Sequence, residues 1–231
     1  MALREWVKLP SEWIEDGGLR QLRWRDGEGA DNTAALMTLA ALAHHADDES
    51  GAVRLTYDQL SECIGLSRSK LAGGLRTLQA LNVISRNGGR SLYRLNGYDP
   101  RGGWAKLPAK ALYTKGRIVA FDEFKLRRPA ELHALKLYFL FAARRGRNNN
   151  MANISYEKIE EYAGIERHRI KPALSILVLN SLVHVEQLRS SINEYGISNG
   201  YRLVGLDTRN HMGTRGRSDA SALFNFHLED V

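Results

Sequence analysis

The sequence predicts a mainly α chain with small β-hairpins, an α+β protein made of two tandem winged helix-turn-helix domains. Three observations carry this: one pattern is written twice along the chain, each copy holds two capped helices joined through a glycine, and strand-forming segments follow the second of those helices.

The repeat is legible in three places. Trp6-Val-Lys-Leu-Pro10 returns as Trp104-Ala-Lys-Leu-Pro108, 98 residues on (104 − 6). Leu55-Thr-Tyr-Asp-Gln-Leu-Ser-Glu-Cys-Ile-Gly-Leu66 aligns with Ile154-Ser-Tyr-Glu-Lys-Ile-Glu-Glu-Tyr-Ala-Gly-Ile165, with Gly65 and Gly164 separated by 99 (164 − 65). Tyr93-Arg-Leu95 matches Tyr201-Arg-Leu203 at 108 (201 − 93), so about nine residues are inserted before it in the second copy. Asn96-Gly-Tyr-Asp-Pro-Arg-Gly-Gly103, rich in turn formers, marks a linker. The expected organisation is a first domain over 1–99, a second over 100–207 and a flexible tail over 208–231. Each copy is near the common size for an independent core, and a single core for the whole is the alternative.

In copy one, Thr33 to Ala46 is rich in Ala and Leu behind an Asp-Asn-Thr cluster suited to capping, which predicts a core helix. Thr56 caps a short helix over Tyr57–Ile64, Gly65 supplies the positive φ of the turn, and Ser67 caps a second helix over Arg68–Leu81 with Leu71, Leu75 and Leu78 on one face. Val83 to Leu95 reads as two strands around Asn87-Gly88, the wing. Copy two repeats the order. A helix over Ala130–Arg145 carries Leu132, Leu135, Tyr138, Phe139 and Ala142 at three and four residue steps, Ser155 is the cap and Gly164 the turn. Ile170, Leu174 and Leu177 form the stripe of the next helix, and the strands fall at Leu182–Leu188 and Tyr201–Leu206. Pro172 is expected in the first turn of its helix, and Gly73-Gly74 implies close approach either to DNA or to a neighbouring helix.

Net charge is +7 and the isoelectric point about 9.6, a balance that favours a polyanionic partner because each cation placed on a phosphate releases counterions. Solubility alone is the bland reading of the same charge. The single cysteine, Cys63, excludes an internal disulfide and a cysteine-based zinc cluster, and reads as a small buried apolar residue in a reducing compartment. No apolar run approaches the roughly 20 residues that span a bilayer, and the N-terminus lacks the apolar core of a signal peptide. The expected setting is cytoplasmic, bacterial and nucleoid-associated. His44-His45 with Asp47-Asp48 spreads around a helix end, so no metal is expected. No cofactor is expected, and neither a phosphate-binding Gly-Lys-Ser/Thr loop nor a nucleophile elbow is present, so the chain reads as no enzyme. Trp6, Trp13, Trp24 and Trp104 read as clamps on the core, with stacking on single-stranded bases as the alternative.

A major groove about 12 Å wide accepts one helix, whose first residues face the base edges. The candidates in copy one are Ser67, Arg68, Ser69 and Lys70, with Arg76 two turns on; in copy two they are Glu166, Arg167, His168, Arg169 and Lys171. Arg68, Arg167 and Arg169 suit bidentate reading of guanine, whereas Lys70 and Lys171 suit phosphates. On the wings, Arg86, Asn87, Arg90 and Arg94, and then Arg189, Ser190, Ser191, Asn193 and Arg202, could reach phosphates or a minor groove. Plain solvated charge is the competing reading: the corresponding slots of Arg68 with Arg167 and Lys70 with Arg169 weigh against it for the helices, and for the wings it stands level with the functional one.

Trp6-Val-Lys-Leu-Pro-Ser-Glu-Trp through Leu22, the Leu/Ala helix, Gly51, and Leu55-Thr-Tyr-Asp-Gln-Leu with Ile64-Gly-Leu resemble the N-terminal winged-helix domain of phage replisome organisers and DnaD-like replication proteins. The second copy is similar in a more diverged form. The resemblance implies a winged-helix fold that binds origin DNA, and plasmid replication initiators likewise use two successive winged helices. The function expected is therefore sequence-specific binding of double-stranded DNA by a protein of a phage, plasmid or integrated element, as an origin-binding replication initiator or organiser. A transcriptional regulator fits the same residues, and a protein-protein adaptor is the reading from another class. Homodimerisation is left open. The C-terminal Ala222-Leu-Phe-Asn-Phe-His-Leu228 either recruits a protein partner or packs back on its own chain.

Overall fold

The computed structural model describes residues 3–25, 27–86, 88–89, 91–146, 149–189 and 197–206, with the backbone alone at 188, 189, 197 and 198. The expected tail, with its Leu223-Phe224 and Phe226-Leu228 segment, lies outside the described residues, as do Asp207 and the wing positions Asn87, Arg90, Ser190, Ser191 and Asn193.

The chain is mixed α+β with small antiparallel sheets. Its first half runs β1 (Trp6–Pro10), α1 (Glu12–Glu15), a 3₁₀ turn (Gly18–Gln21), α2 (Gly29–His44), β2 (Ala52–Arg54), α3 (Tyr57–Ile64), α4 (Arg68–Ala80), β3 (Ile84–Arg86) and β4 (Leu92–Leu95). The second runs β5 (Trp104–Pro108), a 3₁₀ turn (Lys110–Leu112), β6 (Tyr113–Thr114), β7 (Arg117–Ile118), a 3₁₀ turn (Val119–Phe121), α5 (Pro129–Ala143), β8 (Met151–Asn153), α6 (Tyr156–Ala163), α7 (Arg167–Leu179), β9 (Val183–Arg189) and β10 (Ile197–Leu203). Each half closes a three-stranded antiparallel sheet in the same order, β2-β4-β3 and β8-β10-β9.

Local chemistry accounts for most of these boundaries. Thr56 accepts from the Gln59 amide while the Gln59 side chain accepts from the Thr56 amide, a complete capping box on α3. Ser67 accepts from Lys70 N at 3.4 Å and Ser155 from Lys158 N at 3.3 Å, which starts α4 and α6. Gly65 (φ 68°) and Gly164 (φ 60°) end α3 and α6 in the left-handed region, open to glycine without steric cost.

α2 departs from expectation at its start. It begins at Gly29, four residues before Thr33, so Asp31, Asn32 and Thr33 lie inside the helix and do not cap it. Each polar side chain finds another partner: Asn32 Nδ2 donates to Arg23 O at 2.7 Å and Thr33 Oγ1 to Gly29 O at 2.8 Å. Pro172 is also placed differently, as the sixth residue of α7, where it leaves the His168 carbonyl without its usual i+4 donor.

The strands β1 and β5, which have no counterpart among the expected elements, are the two copies of the Trp-x-Lys-Leu-Pro motif, and they pair with each other. Their register is antiparallel and centred on Lys8 opposite Lys106, with Trp6 opposite Pro108 and Pro10 opposite Trp104. Trp6 and Trp104 stack at 5.7 Å across the ribbon, and each ring carries the lysine of the other strand, Lys106 at 4.5 Å and Lys8 at 5.7 Å.

Behind this ribbon, α2 packs on α5. Of 16 residues in α2, 14 are buried, and of 15 in α5, 12 are buried, so the apolar stripe expected for the second helix extends around its circumference. The reason is that each helix is covered by its own half on one side, α4 on α2 and α7 on α5, and by the other half on the opposite side. One hydrophobic cluster consequently runs through both halves, from Val7 to Leu206. Two charged groups caught in it have partners: Lys136 Nζ donates to Leu22 O at 3.1 Å, and Glu131 accepts from the amide of Arg127 at 2.9 Å. Burial pulls the Lys136 pKa down to about 8, with Arg23 adding repulsion.

The Gly73-Gly74 pair is explained by α2. A Cβ on Gly74 would stand 2.8 Å from the Ala34 carbonyl carbon and 2.9 Å from its oxygen, and one on Gly73 would meet the Asp31 carboxylate. The helices approach backbone to backbone only because Gly74 lacks a side chain. Gly74→Ala should therefore lower stability by about 1–3 kcal/mol through overpacking, outweighing the better helix propensity of Ala. Gly73→Ala should cost less, because a carboxylate can move aside. Urea midpoints of the two variants check the order; a more stable Gly74→Ala chain would contradict this packing account.

Candidate nucleic-acid interface

The capped start of α4 turns Ser67, Arg68 and Ser69 to solvent, with Lys70 half-buried and Arg76 exposed further along. Each cation has an acidic neighbour. Arg68 Nε donates to Asp58 Oδ1 at 3.1 Å, Lys70 Nζ to Asp31 Oδ1 at 3.0 Å, and Arg76 lies 4.0 Å from the second Asp31 oxygen. The Arg68–Asp58 pair is open to water on both sides, with side chains 71% and 64% exposed, so it contributes little to stability and is free to exchange for a phosphate or a base edge.

The hairpin brings Arg86 to the same place. Its guanidinium lies 5.7 Å from the Tyr57 ring and 5.4 Å from the Tyr93 ring, and its Nη2 donates to Tyr57 Oη at 3.0 Å. Hydrogen bonding to Tyr93 pushes the Arg86 pKa up, against a smaller opposing effect of burial. The adjacent residues Tyr57 and Asp58 thus hold one arginine from the hairpin and one from α4, which joins Arg86 and Arg68 into a single basic surface. Arg94 belongs elsewhere: next to buried Tyr93 on β4 it points to the opposite face of the sheet, exposed between Ala52 and Ser85.

In the second half, Glu166, Arg167, His168, Arg169 and Lys171 are all exposed at the start of α7. The Arg167 guanidinium lies 5.9 Å from the Tyr156 ring, and Glu166 lies 3.6 Å from Arg169 and 3.4 Å from His168. Tyr156 occupies the place of Tyr57, directly after the cap of the preceding helix. Neither tyrosine was singled out from spacing, although the recurrence of Thr-Tyr-Asp and Ser-Tyr-Glu was the available signal.

Arg202 corrects the expectation of a phosphate contact. Its side chain is 12% exposed, and it donates to Glu186 Oε1 at 2.8 Å and, through Nη1, to Asn149 O at 2.8 Å, so it ties strands together. Arg189 ends β9, where the backbone alone is described. The position equivalent to Arg86, facing Tyr201 as Arg86 faces Tyr93, holds Val185, so this hairpin lacks the arginine that serves the first half.

Two further arginines escaped the sequence reading because each serves the other half. Arg117 lies against Gly65, its Nη2 2.6 Å from where a Cβ would stand, and Arg20 lies against Gly164 at 3.5 Å. Both are exposed, at the turns that lead into α4 and α7, and Arg117 is held by Asp122 at 2.8 Å. No local spacing links residues so distant in the chain.

The other sequence candidates are absorbed by the fold. His44 is buried with Nδ1 3.1 Å from Tyr113 Oη, and that hydroxyl lies 3.3 Å from Cys63 Sγ, whose pKa burial pushes up. Asp47 accepts from Ser50, and Asp48 pairs with Arg4 and Lys8. Among the described residues no three His, Cys, Asp or Glu side chains gather as a metal site, and no helix is long and apolar enough to cross a membrane. Comparison with known protein families and with curated proteins finds no match.

Proposed function

We propose that the chain binds double-stranded DNA through two winged helix-turn-helix units, with α4 and α7 as the helices that enter major grooves. The observation that carries this reading is the doubled arrangement: in both halves a helix, strand, two helices and two strands recur in order, and the exposed first turn of the second helix after the glycine carries arginine at equivalent positions, Arg68 and Arg167. Ser67, Arg68 and Ser69 and then Arg167, His168 and Arg169 face the bases, Lys70, Lys171, Arg86 and the arginines at the turns, Arg20 and Arg117, reach phosphates, and the net positive charge supplies long-range attraction. An origin-binding initiator or organiser of replication is the role this footprint suits.

The test is a binding series on duplexes recovered by selection from random sequence. Arg68→Ala and Arg167→Ala should each weaken binding by about 1–3 kcal/mol, with relaxed base preference at one position. Affinity should fall steeply with salt, and the slope should flatten in Arg86→Ala if that residue contacts phosphate. Unchanged affinity in both helix variants would refute the assignment and favour an adaptor that binds protein through these surfaces.

A further inference from the structure

The ribbon of β1 and β5 carries information about symmetry. Copies of a motif related by simple translation would run parallel; here they run antiparallel and the register is centred on equivalent residues, Lys8 opposite Lys106. That arrangement is generated by a two-fold rotation through the middle of the ribbon. Two further sets of contacts obey the same rotation. The equivalent helices α2 and α5 pack on each other. The turn Gly18–Gln21 of the first half packs on α6 of the second, while β7 of the second packs on α3 of the first. Arg20 covers Gly164 as Arg117 covers Gly65. The halves are therefore related as the subunits of a two-fold dimer are, within one chain.

We infer that the DNA site of this protein is an inverted repeat with unequal half-sites, read by a single chain. The inference rests on the duplex-binding proposal. The backbone of duplex DNA has its own two-fold axes perpendicular to the helix, and a protein with two reading helices related by a two-fold aligns its axis with one of them, which places the half-sites in inverted orientation. A direct repeat would require the two units to be related by translation along the duplex, which the shared core and the paired strands forbid. The half-sites differ because the reading residues differ: Ser67-Arg68-Ser69-Lys70 in one half, Arg167-His168-Arg169 with Lys171 in the other, with Arg86 replaced by Val185 on the second hairpin.

The experiment uses the full chain. Duplexes enriched by selection are rebuilt synthetically as the recovered site, as the same site with one half-site reversed to make a direct repeat, and as each half-site alone. The recovered site should contain two inverted half-sites, and reversing or deleting one should lower affinity at least about tenfold. Footprints of Arg68→Ala and Arg167→Ala should each lose protection on one half-site, a different one in the two variants. Enrichment of direct repeats, or equal affinity for a single half-site, overturns the symmetry inference and leaves DNA binding standing. No enrichment of any duplex overturns both.

Discussion

Expressed alone, residues 1–100 should fail to form a cooperatively folding monomer, and so should residues 101–231. Each half repeats a full set of helices and strands and has the length of an independent domain. The two halves nevertheless bury a shared surface. α2 and α5 are buried on all sides only when both halves are present, and the ribbon of Trp6–Pro10 with Trp104–Pro108 supplies half of its hydrogen-bonding partners from each copy. Tyr113 of the second half reaches His44 and Cys63 of the first, and Lys136 reaches the Leu22 carbonyl. Re-exposing a fully buried Leu, Met or aromatic side chain costs about 1.5–3 kcal/mol, and a domain of this size has about 5–15 kcal/mol in all, so a handful of such residues exceeds the reserve. The separated halves should aggregate or associate, and mixing them should restore the circular dichroism and the urea transition of the intact chain. A monomeric first half with the midpoint of the whole protein would disprove the shared-core account. On the duplex-binding proposal, separation should also abolish binding, since Arg117 and Arg20 each complete the turn of the other half.

Acid should destabilise the protein well before its carboxylates titrate. Burial, with His45 adding repulsion, lowers the His44 pKa to about 3; burial, with Lys136 and then Arg169 adding repulsion, lowers that of His133 to about 4. Both imidazoles are neutral in the folded chain at pH 7. The folded values lie below the unfolded value near 6.5, so as pH falls through 6.5 the unfolded chain takes up protons that the folded chain does not. Stability from these groups is flat above about pH 6.5 and falls toward pH 4, by about 1.4 kcal/mol per pH unit for each histidine, or roughly 3 kcal/mol each over the window. Asp47 and Asp99 are held below the ordinary carboxylate range by hydrogen bonds, Asp47 to Ser50 and Asp99 to the Arg101 amide, so their contribution disappears only at lower pH. Urea midpoints at pH 7 and pH 4.5 measure the effect. Burial lowers the His45 pKa as well, so His133→Gln should flatten the dependence in part and leave the share of His44 and His45; a wild-type chain equally stable at both values would show that these imidazoles are not buried as described.

Much of the site was legible because its signals are local. Thr56, Ser67 and Ser155 close hydrogen bonds within three residues, Gly65 and Gly164 relieve backbone strain at a single position, and Arg68 and Arg167 follow each cap by a fixed count. Such features depend on neighbours along the chain, so spacing alone finds them. The helix start at Gly29, the internal pairing of Arg202 and the origin of Gly73-Gly74 were not legible, because in each the partner lies outside the helix or strand concerned: Arg23, Glu186 with Asn149, and the backbone of α2.

The sequence by itself determined that one pattern of capped helices, glycine turns and strands occurs twice, and where its arginines stand in each copy. Only the tertiary structure decided that the two Trp-x-Lys-Leu-Pro motifs pair with each other, that α2 and α5 share one core, and that the copies face each other across a two-fold. The physical reason is that a repeated sequence specifies the same local structure twice and leaves the relation between the copies to long-range packing, where the apolar faces of α2 and α5 and the open edges of β1 and β5 are satisfied by one another.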